Sequence, residues 1–132
     1  MGDWAGLLTK NQSTSTRLAL LLKNTNVATF TATSGTQLEG STTLTTGKWY
    51  NIVGVQLSGI SRKLYINGVL DGTSTSDFGT TPAGSENWMI GQATGVSMWL
   101  DGQIANATIY NKALTAAEVL QNYNAHKGRF GL

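Results

Sequence analysis

The segment that most constrains the fold is residues 49–57, which are largely apolar on both alternating faces. One face carries Trp49, Asn51, Val53, Val55 and Leu57; the other carries Tyr50, Ile52, Gly54 and Gln56. Successive strand side chains point to opposite sides, so such a strand needs cover above and below. This reads as a central strand in a packed sandwich. Composition agrees. Charged residues are 12% of the chain, about half the usual share, and 16 glycines with many Ser, Thr and Asn take their place. A helical bundle would need more Glu, Lys, Ala and Leu, whereas short strands and tight turns use this mixture. At 132 residues the chain is expected to form one domain over 1–132 with a modest core.

Apolar runs separated by Ser/Thr clusters place candidate strands at 5–10, 17–23, 27–33, 37–40, 49–57, 63–67, 69–72, 88–91 and 98–110. Asn67-Gly68 lies between Leu64-Tyr65-Ile66 and Val69-Leu70, and both turn residues tolerate positive φ. That pair is the strongest hairpin signal in the chain. In the last candidate strand, Ile104, Asn106, Thr108 and Tyr110 alternate with Ala105, Ala107 and Ile109, as a half-buried strand would. One helix is predicted over 116–125. Thr115-Ala116-Ala117-Glu118 is a capping box, and Leu114 can pack on Val119 as a hydrophobic staple.

What is missing narrows the chemistry. With no cysteine and one histidine, disulfides, thiolate zinc sites, cysteine nucleophiles and multi-histidine metal sites are excluded. A net charge of +2 without a basic run gives no footprint for nucleic acid. No segment is apolar for long enough to insert in a membrane. Met1-Gly2-Asp3-Trp4 shows no secretory signal pattern, so the expectation is a mature form or a protein made in the cytoplasm.

Several motifs in fixed order resemble the LamG-like (laminin G-type) branch of the concanavalin A-like lectin/glucanase jelly rolls. Thr46-Gly47-Lys48-Trp49-Tyr50-Asn51-Ile52-Val53-Gly54-Val55 is similar to the family's GKWYHIVGV strand. Lys63-Leu64-Tyr65-Ile66-Asn67-Gly68-Val69-Leu70-Asp71-Gly72 is similar to LYVNGVLDG, and Met89-Ile90-Gly91 to LRIG. Leu100-Asp101-Gly102-Gln103-Ile104, running on to Ile109-Tyr110-Asn111-Lys112-Ala113-Leu114-Thr115, resembles FxGxIDEVRIYNRALS. The resemblance covers 46–123 and implies an all-β, antiparallel two-sheet jelly-roll sandwich with one short C-terminal helix. Two departures stand out. Ala105-Asn106 replaces the family's acidic pair, and the opening FTISAWV-type strand is absent, with Trp4-Ala5-Gly6-Leu7-Leu8 reading as the segment after it. A jelly roll closes by pairing its first and last segments, so this sandwich is expected to be incomplete or closed by something else. Residues 121–132 resemble a QNFNALKGRFGI tail of tailed-bacteriophage structural proteins.

The resemblance brings glycoside hydrolysis into view, which needs two carboxylates flanking one bond. Asp71, Asp77, Glu86 and Asp101 are isolated in sequence and Glu118 belongs to its cap, so no catalytic residue is expected. His126 reads as a helix-end surface histidine. No cofactor is required. Calcium is possible, because related sandwiches hold one ion on loop oxygens; Asp71, Asp77 and Asp101 are the candidates, with turn roles as the plainer reading. Trp49 reads as core. For Trp88 and Trp99 core packing is also the first expectation, and with Asp101 they are the candidates for a ligand-binding rim.

The expected function is a non-enzymatic surface or structural module. The first setting is a phage virion protein, a capsid decoration or tail domain assembled in the host cytoplasm that attaches to protein or to a host surface. The alternative is an extracellular glycan-binding module. Expected partners are other copies of the chain or a virion lattice, with surface glycans as the alternative and neither nucleic acid nor membrane insertion. The bare edge left by the absent strand invites oligomerisation. Trp4, Phe130 and Leu132 are the candidate contacts, the last two because the sequence offers them no burial site of their own.

Overall fold

In a computed structural model, residues 4–11, 17–32, 36–76, 87–93 and 98–132 are described. Among these residues the strands are, in order, β1 (Trp4–Asn11), β2 (Arg17–Lys23), β3 (Val27–Ala32), β4 (Leu38–Thr43), β5 (Ile52–Gln56), β6 (Arg62–Ile66), β7 (Val69–Ser74) and β8 (Trp88–Ile90). Helix α1 (Ala116–His126) comes next, then a 3-10 turn at Lys127–Arg129. The strands form two antiparallel sheets, one of five strands ordered β4-β3-β2-β1-β8 and one of three ordered β5-β6-β7. The fold is the mostly-β, two-sheet sandwich with one short C-terminal helix that the motifs imply.

Ladder register decides which side chains meet. Leu20 pairs with Phe30 and Leu8, and Leu8 with Ile90, so these four share the inner face of the large sheet. Phe30 joins Leu38, Leu44, Leu64 and Ile66 in the main core. It packs so closely on Gly54 that a Cβ there would stand 2.8 Å from its ring. The outer face of the small sheet is also covered: Val55 and Tyr65 pack with Leu114 and Val119 at the start of α1. β5 is therefore covered on both faces, as its sequence demands.

Local signals behave as expected. Asn67 and Gly68 both have positive φ, 51° and 78°, and join β6 to β7 in a two-residue turn. The Thr115 hydroxyl accepts the Glu118 N–H at 3.2 Å, and the Glu118 carboxylate accepts the Thr115 N–H at 2.8 Å. The helix continues one residue past the expected end and runs into the 3-10 turn.

Three expectations are corrected. β5 is not central in its sheet; it is an edge strand, with only β6 beside it among the described residues. Residues 98–110 form no strand. Their alternation suits a strand, yet 103–110 make no backbone hydrogen bond with another described residue, and without ladder bonds there is no strand. Trp49 lies outside β5, is 36% exposed, and stacks on Phe130 with ring centroids 5.4 Å apart.

The other edges explain why the sandwich holds on one side only. β4 packs against β6 and β7. There the Asp71 carboxylate accepts the Ser41 N–H at 3.0 Å and the Thr42 N–H at 3.1 Å, and it also bonds the Thr42 hydroxyl. On the opposite side, three strands face five.

Two outcomes test this packing. Gly54→Ala is expected to lower stability by about 1–3 kcal/mol in chemical denaturation, because the ring of Phe30 must move. The second concerns pH. The Lys112 ammonium first, then the Thr115 N–H, hold the Glu118 carboxyl below its ordinary 4.5. A carboxyl lowered in the folded state stabilises it above the unfolded value, and that contribution is lost as pH falls through the folded one. Thermal melting should therefore weaken below about pH 4.5, and Glu118→Gln should flatten part of that dependence.

Candidate functional site

The unfilled side of the sandwich is the main concavity, with a volume of about 680 Å³. Its wall includes Leu7, Leu8, Leu18 and Leu20 from β1 and β2, Trp88 from β8, and the whole of β5. Residues 103–114 and the α1 side chains Val119 and Tyr123 complete it. Burial tracks the strand count. Trp88 and Ile90 sit on the inner face of β8, where no described strand of the smaller sheet reaches, and they remain 39% and 57% exposed.

Of the ligand candidates, Trp88 and Trp99 are brought to the same end of the molecule. The Leu100 N–H donates to Gly91 O at 2.9 Å and the Gly6 N–H to Met98 O at 3.1 Å. These bonds fix the Trp99 segment alongside β8 and β1. Trp99 is 68% exposed, and Asp101 comes after it in an exposed bend. The expectation of core packing for these two tryptophans is thus corrected, since both are exposed.

The calcium candidates Asp71 and Asp101 fall on separate segments of the chain. Asp71 spends both carboxylate oxygens on β4 donors, Asp101 lies on another segment, and Asp77 is outside the described residues. Among the described residues no group of three His, Asp or Glu side chains could hold a metal. Among those residues, too, no carboxylate side chain lines the concavity, whereas Lys48, Lys112, His126 and Lys127 do.

The candidate contact residues have places within the chain. Trp4 packs beside Ala19, Leu21 and Ala93 on the outer face of the large sheet, with the Lys23 ammonium 5.6 Å from its ring. Phe130 stacks on Trp49. The Leu132 N–H donates to Lys127 O at 3.0 Å, and its side chain is half-buried. The premise that the tail lacks an intramolecular seat is corrected: the 3-10 turn folds it back onto Trp49.

Sequence reasoning missed Arg62. It is fully buried and donates to Thr36 O at 2.7 Å and to the Ser74 hydroxyl at 3.1 Å, tying the entry to β4 to the end of β7. Only its place opposite β7 across the ladder could have marked it.

A family model described as Laminin_G_3, concanavalin A-like lectin/glucanases superfamily, matches residues 1–120. The chain belongs to this superfamily. Among solved structures, this laminin-G-type chain is similar to an S-layer domain-containing protein (residues 221-444) from Clostridium thermocellum ATCC 27405. The TM-score is 0.53 at 21% identity, covering 84% of this chain and 58% of that one. The laminin-G-type chain thus spans under two thirds of that structure, and the likeness concerns the fold. The comparison with curated proteins finds no match.

The geometry assigns Asp71 in this laminin-G-type domain to a staple between sheets. Asp71→Ala should lower stability by roughly 0.5–1.5 kcal/mol, since it removes hydrogen bonds between the sheets. The decrease should be the same with and without millimolar calcium. A calcium-dependent stabilisation that this substitution abolishes would make Asp71 a metal ligand instead.

Proposed function

We propose that this laminin-G-type chain is a non-catalytic attachment module of an outer surface, holding a macromolecular partner on the open side of its sandwich. The observation that carries this reading is the inner face of β8, uncovered among the described residues, where Trp88 and Ile90 are exposed and Trp88 borders an apolar concavity. Contiguous apolar surface of this kind marks interaction sites on soluble proteins. The described lining of the concavity also lacks the carboxylates that glycoside hydrolysis would need. An outer-surface setting is supported by the fold shared with an S-layer domain-containing protein. The narrower virion setting draws its support from the resemblance of residues 121–132 alone, and oligomerisation draws its support from the open β5 edge.

Glycan binding is the second reading. Trp99, 68% exposed and two residues from Asp101, offers a stacking ring beside a hydrogen-bonding acid. Calcium on Asp101 would belong to this reading.

The two readings separate by mutation. The purified protein should sediment saturably with intact envelopes or particles, and Trp88→Ala with Ile90→Ser should weaken this at least tenfold without lowering the melting midpoint. Trp99→Ala should leave it unchanged. Loss through Trp99→Ala, with competition by free surface polysaccharide, would favour the glycan reading. Turnover of a β-glucan that is lost in Asp101→Asn would overturn both.

A further inference from the structure

We propose that Asn67 is a self-modification site, at which the Gly68 backbone nitrogen displaces the side-chain amide, and that docking of α1 holds this reaction off. The inference stands apart from the attachment reading.

The sequence supplies the chemistry. Asn67 is the one asparagine in the chain that is followed by glycine. With no Cβ, Gly68 leaves its nitrogen open to approach and its backbone free to turn. Once a base in the solvent has taken the N–H proton, that nitrogen attacks the Asn67 Cγ. The new N–Cγ bond closes a five-membered succinimide, the Cγ–Nδ2 bond breaks, and ammonia leaves with the proton the base returns. Water then opens the ring at either carbonyl. One product is an ordinary aspartate; the other is an isoaspartate, in which the main chain runs through the β-carbon. Water is the only co-reactant, and no electrons are transferred.

The fold restrains both reacting groups. The Asn67 amide oxygen accepts the Asn51 N–H at 2.9 Å, and the Asn67 N–H donates to Asn51 O at 2.8 Å. Side chain and backbone are thus clamped to the residue before β5. The two turn residues hold positive φ, 51° and 78°, between Ile66 and Val69, which pair directly. Helix α1 closes the other side. A Cβ on Gly68 would stand 3.0 Å from both Leu120 and Tyr123, so the helix rests on the turn residue itself. Ring closure requires the amide to leave Asn51 and the Asn67-Gly68 backbone to rotate. Gly68 has little room to rotate while Leu120 and Tyr123 lie against it. The reaction therefore waits for α1 to lift, a local opening that costs less than global unfolding.

The two products differ in consequence. Aspartate keeps an acceptor for the Asn51 N–H and tolerates positive φ. Isoaspartate adds a main-chain atom to a two-residue turn, which disrupts the Ile66–Val69 register and the contact with α1. Asn67 thereby converts a transient lift of the helix into a lasting release.

The test incubates the full chain in mildly alkaline buffer and follows Asn67 by peptide mass spectrometry, with isoaspartate detected by enzymatic methylation. The same chain unfolded in guanidinium chloride is the reference. The folded chain should react at least tenfold more slowly. Leu120→Ala with Tyr123→Ala, which clears the helix from Gly68, should speed the folded reaction several-fold. A denaturant series on the unaltered chain decides the matter if that variant does not fold. Well below the unfolding midpoint, the rate should rise less steeply than the global unfolding constant, as a local opening does. Purified isoaspartate chains should melt lower than Asn67→Asp. Five results would each overturn the proposal: an unmodified Asn67 in the unfolded chain, equal rates in the folded and unfolded chains, no acceleration in a folded helix variant, a rate that follows global unfolding alone, or isoaspartate chains that melt like Asn67→Asp.

Discussion

Phe30 meets Gly54 at a distance that admits no Cβ, with only 2.8 Å between its ring and the place where one would stand. Through that contact β3 and β5 approach, the two sheets share a core with Leu38, Leu64 and Ile66, and the register of β5 is locked. A slip by one residue would carry Val53 and Val55 inward and Ile52 outward. It would also remove the apolar floor on which Leu114 and Val119 seat the helix. Beyond that helix the tail folds back onto Trp49.

The same contact leaves the sandwich asymmetric. With β5 fixed over β3 and β4 stapled to β7 by Asp71, the three-stranded sheet covers one part of the five-stranded one. The inner faces of β1, β2 and β8 extend beyond it. Their leucines border a cavity and the β8 side chains Trp88 and Ile90 reach solvent. The feature that makes the chain a binding candidate is thus a consequence of how the sheets overlap. It needs no specialised catalytic constellation.

Much of this is legible in sequence because the signals are local. The Asn67-Gly68 turn is set by two residues that adopt positive φ, and the helix start by four residues that bond one another. The two-faced cover of β5 is implicit in its alternation. Which strand lies beside which is not. Residues 98–110 have strand periodicity but no ladder partner among the described residues, and periodicity reports faces, not neighbours. Trp49, Trp88 and Trp99 are expected in the core because large aromatics are usually buried. Their exposure is set by tertiary packing, which no local pattern encodes. Asp71 and Arg62 bond residues 26 to 30 positions away, so their roles emerge only after the sheets have paired.

The most direct measurement is amide hydrogen exchange along β5. If the outer edge of this strand is open, Val53 and Val55, bonded to β6, exchange slowly, while Ile52, Gly54 and Gln56 exchange much faster. An alternating pattern is the predicted result. Uniform protection across all five amides would mean that another strand already lies on that edge, and would contradict the account.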